Sequence, residues 1–222
     1  MALWESYGLD EFLAAYPRLQ LKDGSSKELV IEGEHRVFVE MPGYLPIDEM
    51  VHIRIVFPES YPRDVPKVFD LGSSIPKNPD HHVNSSDNSL CLGSGIRVLH
   101  EIGKDPSIEG FLKSCVNNYL YRILYKKKYD LIPGDELKHG EEGLIQDYEA
   151  IFGISGKDNV VQLLKVLAKR KRIANKMRCP CGCGLRLGRC RFRFKLIAWR
   201  RKSKRAWFAL HLSENFSQAR YR

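Results

Sequence analysis

Apolar residues recur at three- and four-residue intervals over residues 5–20 (Leu9, Phe12, Leu13, Tyr16, Leu19), the period of one face of an α-helix. Asp10 and Glu11 sit near its start, where the helix dipole favours acids. The stretch Asp23-Gly24-Ser25-Ser26 predicts a turn, after which the period changes. Short β-like runs follow at 28–31 and 36–41, separated by Gly33 and Glu34. Val51, Ile53, Ile55 and Phe57 then alternate with His52, Arg54 and Val56, as in a half-buried antiparallel strand. A fourth strand is expected at 65–71 and a long loop from about 72 to 105. From Pro106 the helical period returns, with Ile108, Phe111, Leu112, Cys115, Val116, Tyr119 and Leu120 on one face. Cys115 therefore reads as core. Further helices are expected at 141–152, where His139 and Gly140 precede a helix start, and at 159–176. A basic amphipathic helix or two should follow residue 190. A helix, a four-strand meander, a loop and more helices make an α+β layout.

Charge divides this layout. Residues 169–222 hold 18 Lys/Arg and one acid, Glu214, a net of +17, whereas the rest holds 18 Lys/Arg against 26 Asp/Glu, a net of −8. Such asymmetry marks a compositional boundary, and the basic piece suits either an acidic partner or nucleic acid. No apolar run approaches a membrane span, and Met-Ala-Leu-Trp-Glu-Ser lacks the regions of a signal peptide, so a cytoplasmic protein without a membrane partner is expected. Four of the six cysteines fall within twelve residues (Cys179, Cys181, Cys183, Cys190), which in the cytosol reads as a metal site rather than as disulfides.

Cys91 stands apart from that cluster. The segment His81-His82-Val83-Asn84-Ser85-Ser86-Asp87-Asn88-Ser89-Leu90-Cys91-Leu92-Gly93 approaches the thiol through a polar, turn-rich loop. This is the setting of a surface thiol whose thiolate acts as a nucleophile, with a partly buried small hydrophobe as the alternative.

The segment Phe57-Pro58-Glu59-Ser60-Tyr61-Pro62-Arg63-Asp64-Val65-Pro66-Lys67-Val68 resembles the ubiquitin-conjugating enzymes, in which such a stretch joins the third and fourth strands. The prolines stop ladder pairing and fix φ, which stiffens the connection. Cys91 falls where that family keeps its active-site cysteine, and His81 lies ten residues before it, at the offset of the family's His-Pro-Asn histidine. The resemblance covers residues 5–155 and implies a UBC-like domain over 1–156, followed by a helical linker over 157–176 and a basic tail over 177–222. It further implies that Cys91 accepts a ubiquitin-like C-terminus as a thioester from an activating enzyme and passes it to an amine. The motif Asn position is Val83 here; Asn84 is the replacement for oxyanion stabilisation if the loop shifts by one, and Asn88 is a poorer one. His81 reads as a loop-holding residue or a general base.

Cys179-Pro180-Cys181-Gly182-Cys183-Gly184-Leu185-Arg186-Leu187-Gly188-Arg189-Cys190 resembles the SEC-C zinc knuckle. Cys179, Cys181 and Cys190 match its ligands; Cys183 is the candidate fourth thiolate and His211 a distant alternative. The resemblance implies structural zinc in a tail with little core of its own. Bacterial members of the conjugating family carry similar tails, which implies a phage-defence type of conjugation system. Two other readings remain: a catalytically silent UBC-like module that binds the modifier, and a nucleic-acid or ribosome-binding protein acting through its basic tail.

Overall fold

A computed structural model describes residues 2–23, 27–134 and 140–216; residues 24–26 of the expected turn, and His139, lie outside the described residues. The chain divides into two compact units, one of Met1–Tyr61 and Val65–Glu136, the other of Pro62–Asp64 and Leu137–Arg222.

The first unit is α+β. Strands β1 (Leu19–Lys22), β2 (Leu29–Val39), β3 (Ile47–Phe57) and β4 (Lys67–Asp70) form one antiparallel sheet in the order β1-β2-β3-β4. Four strands are present as expected, but they are not the same four. Of the helix expected over residues 5–20 only α2 (Leu9–Ala15) forms; α1 (Ala2–Glu5) precedes it, and the left-handed Gly8 separates the two. Pro17 forbids continuation and pushes Tyr16 out of the helical region, so the chain extends and Leu19–Lys22 pairs with β2 instead. The runs at 28–31 and 36–41 are one strand. Gly33 does not interrupt it; a Cβ at Gly33 would overlap the Arg18 carbonyl, so the missing side chain is what lets β1 close on β2.

Alternation sends Ile31, Val37, Val51, Ile53 and Ile55 to one face, all completely buried. Opposite them lies a continuous helix built of α4 (Ile108–Phe111), a π turn (Leu112–Val116) and α5 (Asn117–Tyr129). Its Phe111, Leu112, Val116 and Leu120 are also fully buried, each such side chain contributing about 1.5–3 kcal/mol relative to exposure. Tyr61 seats the proline-rich connection: its ring meets Phe57 at 5.0 Å and its hydroxyl donates to the Pro106 carbonyl at 3.0 Å. Helix α3 (Gly95–Ile102), capped by Ser94, completes this unit.

The second unit is helical: α6 (Gly140–Phe152), α7 (Lys157–Ala168), α8 (Lys171–Ala174), a cysteine hairpin, α9 (Phe192–Lys202) and α10 (Arg205–Asn215). Helix α6, placed by sequence in the conjugating domain, belongs by its contacts to this unit, which begins at Leu137 rather than after residue 156. Residues 157–176, expected as a linker, instead supply core: Val160, Leu163, Leu164, Val166 and Leu167 are all completely buried, which a solvated linker would not be. α10 packs along α7, Phe208 is fully buried, and Trp199 of α9 lies 4.7 Å from the Phe152 ring. Among the described residues no helix is long and apolar enough to cross a membrane.

Candidate functional site

The loop that carries Cys91 is held along its whole length. After β4, Asp70 is buried and accepts the amides of Gly72 (3.0 Å) and Ile75 (2.8 Å), turning the chain. A single 3₁₀ turn, Pro79–His81, follows, capped by Asn78, whose Oδ1 accepts the His81 amide at 3.1 Å. His82 and Asn88 adopt left-handed φ values of 53° and 58°, which bend the segment twice. Between those bends Val83 and Leu90 form an antiparallel bridge, flanked by Asn84 N–H donating to Ser89 O (2.9 Å) and Cys91 N–H to His82 O (2.7 Å). Leu90 N–H also donates to Val68 O at 2.7 Å, fastening the bridge to β4.

This register decides which side chains meet. Val83 and Leu90 are buried, so the pleat sends Cys91 the other way, where it is half-buried. The residue directly opposite Cys91 is His82, not His81. The His81 ring lies 2.8 Å through Nδ1 from Asn78 Oδ1, so Nδ1 carries the proton in this pairing. Partial burial, with the Lys126 ammonium behind it, lowers the His81 pKa and favours a neutral ring. Asn84 stands opposite Ser89 and donates its side-chain amide to Ser89 Oγ at 2.9 Å. Of the three residues singled out by sequence, Cys91 thus faces outward, while His81 and Asn84 bind the loop to itself. Asp87 finishes the turn: it accepts from Ser89 N and Oγ and pairs with Lys67 Nζ at 2.8 Å. The Lys67 contact, followed by the Ser89 hydrogen bonds, pulls the Asp87 carboxyl down to about 2.

Helix α5 supports the same loop from beneath. The Tyr119 hydroxyl donates to His81 O at 2.7 Å and lies 3.4 Å from His82 O, the carbonyl that receives the Cys91 amide. Burial, with Cys91 and Asp70 nearby, raises the Tyr119 pKa and keeps it a donor. Lys126 Nζ donates to Asp80 O and Lys127 Nζ to Ser74 O, each at 2.9 Å. Sequence reasoning placed Tyr119 in a core stripe and passed over the lysines. The available signal was the phenol itself, a polar tip on an apolar face that must find a partner when buried. Cys115, in the π turn, is buried, and burial pushes its thiol up to about 11.

The second constellation is the cysteine hairpin. Arg178 and Arg186 bridge antiparallel, and the left-handed Gly182 and Gly184 turn the chain between them. The turn gathers Cys179, Cys181, Cys183 and Cys190 so that their Sγ atoms all lie within 4.8 Å of one another. All six cysteines are free thiols. The Sγ atoms of Cys181 and Cys190 are 3.7 Å apart and those of Cys179 and Cys181 3.2 Å. A tetrahedron with metal–sulfur bonds of about 2.3 Å has edges of roughly 3.8 Å, so the group could hold a metal ion. The donor chemistry agrees. Cys179 is completely buried and its pKa is raised by that burial, so a thiolate there calls for a cation. The Leu185 amide lowers the pKa of the exposed Cys183, and Phe192 N–H donates to Cys190 Sγ at 3.4 Å. His211 is elsewhere: it stacks on Trp207 in α10, with ring centroids 4.7 Å apart, and takes no part in the cluster.

No family model, no curated protein and no solved structure matches this chain.

Proposed function

We propose that this chain is a thioester carrier of the ubiquitin-conjugating kind, with Cys91 as the acyl-bearing nucleophile. One observation carries the reading: Cys91 is half-buried and turned away from the core on a loop whose backbone is fixed on both sides. A free loop thiol would lose such positioning to conformational entropy, and a core thiol such as Cys115 could not meet a protein partner. Further support comes from the order of parts: an antiparallel meander, the Tyr61 connection, the cysteine loop and then a long helix.

In this reading the Cys91 thiolate attacks the thioester carbonyl presented by an activating enzyme. A new C–S bond forms, the donor's C–S bond breaks, and the donor cysteine leaves as thiolate, a nearly balanced exchange. An amine then attacks the Cys91 thioester; a C–N bond forms, Cys91 leaves as thiolate, and the amine proton passes to solvent. Because the Asn84 amide is engaged by Ser89, its part in the second step is to hold the loop rather than to meet the oxyanion. The four-cysteine group is read as a zinc site, with Cys179, Cys181, Cys183 and Cys190 as ligands. Four thiolates close the coordination sphere, so the ion would supply folding energy and no open catalytic position.

The test uses the full chain with an activating enzyme and ubiquitin-like modifier from its own genome, plus ATP. The wild type should yield an adduct that dithiothreitol cleaves, and Cys91→Ala none. No adduct under conditions in which the activating enzyme loads itself would sink the reading in favour of a silent binding module. An adduct surviving in Cys91→Ala would move the acyl site elsewhere.

A further inference from the structure

We infer that the second unit carries a binding surface for single-stranded nucleic acid, centred on α9 and the cysteine hairpin. Three independent observations converge on it, none involving Cys91, so it stands whether or not Cys91 bears a thioester.

The first is which cation is used. Residues 169–222 contain 12 Arg and 6 Lys, whereas residues 1–168 contain 6 Arg and 12 Lys. Solubility would be served by either residue. The planar guanidinium fork specifically matches two oxygens of a phosphate, which a compact ammonium cannot do.

The second is that the cations are placed against the interest of the fold. Arg178 and Arg186, both exposed, stand directly opposite each other in the hairpin bridge, where like charges repel. Arg191 opens α9, and Lys204 and Arg205 open α10, with no acid in either first turn. Helix N-termini favour anions, so each of these positions opposes folding. A polyanion lying across them turns both penalties into attractions.

The third selects the kind of polyanion. Arg191, Phe194, Lys195, Ala198 and Arg201 recur at three- and four-residue spacing and are all exposed, forming one outward face of α9. Phe194 is 57 % exposed, and the Arg193 guanidinium carbon lies 4.7 Å from its ring centroid. A flat aromatic ring set among cations is the arrangement on which bases stack while phosphates are neutralised. An acidic polypeptide would use the charges but has no need of the ring.

The test is fluorescence anisotropy of the full zinc-loaded chain with fluorescein-labelled single-stranded RNA and DNA of mixed sequence, about 20 nucleotides long, from about 50 to about 200 mM salt. The logarithm of affinity should fall linearly with the logarithm of salt. The triple variant R191A/K195A/R201A should make that slope shallower by about two, at roughly 0.7 per phosphate. Phe194→Ala should weaken binding roughly tenfold at every salt concentration with the slope unchanged. R178K/R186K, which keeps the charge and loses the forks, should weaken binding at unchanged slope. These positions are exposed, and circular dichroism checks that each variant folds. No binding to either strand at about 50 mM salt overturns the inference. So does polyglutamate binding as tightly as RNA together with indifference to Phe194→Ala; that result assigns the surface to an acidic protein.

Discussion

Cys91 and Cys115 have the same side chain and opposite surroundings. Cys115 is 5 % exposed with its thiol pushed up to about 11, so at pH 8 roughly one molecule in a thousand carries the thiolate. Cys91 is half-buried on the outer side of its bridge. Iodoacetamide at pH 8 should therefore alkylate Cys91 in the native protein and leave Cys115 unmodified until denaturant is added, as peptide mass mapping will read. Equal labelling of both would show that the loop does not present Cys91. His211 offers a second test at this scale. It stacks on Trp207, and burial lowers its pKa to about 4. The folded value lies below the unfolded value of about 6.5, so the native state resists protonation. Its contribution is complete above about pH 6.5 and is lost as pH falls toward 4, at a cost on the order of 3 kcal/mol. His211→Phe keeps a ring on Trp207 and removes the titration. Urea unfolding followed by tryptophan fluorescence should show a flatter acid limb for the variant over that window.

At the scale of elements, small numbers of contacts fix large pieces. Arg200 of α9 donates to the carbonyls of Val166, Leu167 and Lys169, satisfying the open C-terminal end of α7 with a cation where the dipole favours one. Arg200→Ala leaves those carbonyls without their charged donor and should destabilise the protein by about 2 kcal/mol, read as a lower urea midpoint. Arg200→Lys should recover only part of that, because one ammonium cannot reach all three acceptors. Gly33 plays the equivalent part in the sheet. Gly33→Ala drives a methyl into the Arg18 carbonyl and should cost roughly 2 kcal/mol or more by prising β1 from β2. Hydrogen exchange at the amides of Leu19–Lys22 should rise sharply in the variant while β3 stays protected. Helix α5 acts on the Cys91 loop through Tyr119, Lys126 and Lys127, spaced so that all three lie on one side of it.

For the whole molecule the cysteine group is the decisive feature. Its hairpin joins helices to a segment with a single acid, and a closed metal site there would contribute folding free energy directly. The purified chain should contain one zinc ion, measured by atomic emission. Prolonged chelation at neutral pH should reduce helical circular dichroism, with recovery on adding zinc back. Cys179→Ser, which removes the buried thiol of the group, should lose the ion outright. A chain whose metal content and helix signal ignore both treatments would leave the four thiols as an empty coincidence of spacing.

The sequence by itself determined what depends on local period and local chemistry. Alternation in β3, the helical stripe beyond Pro106 and the spacing of Cys179, Cys181, Cys183 and Cys190 are short-range properties, and each is legible in the chain itself. The loop that leads to Cys91 was legible for the same reason, since a run of Asn, Ser and Asp announces a turn-rich segment. Tertiary structure decided everything that depends on a partner distant in sequence. Leu19 fits a helical stripe until Gly33 offers it a ladder; the apolar face of α7 looks like a linker until α10 covers it. Which histidine faces Cys91 was likewise set by the pairing of Val83 with Leu90, because a one-residue step in an antiparallel register reverses every side chain.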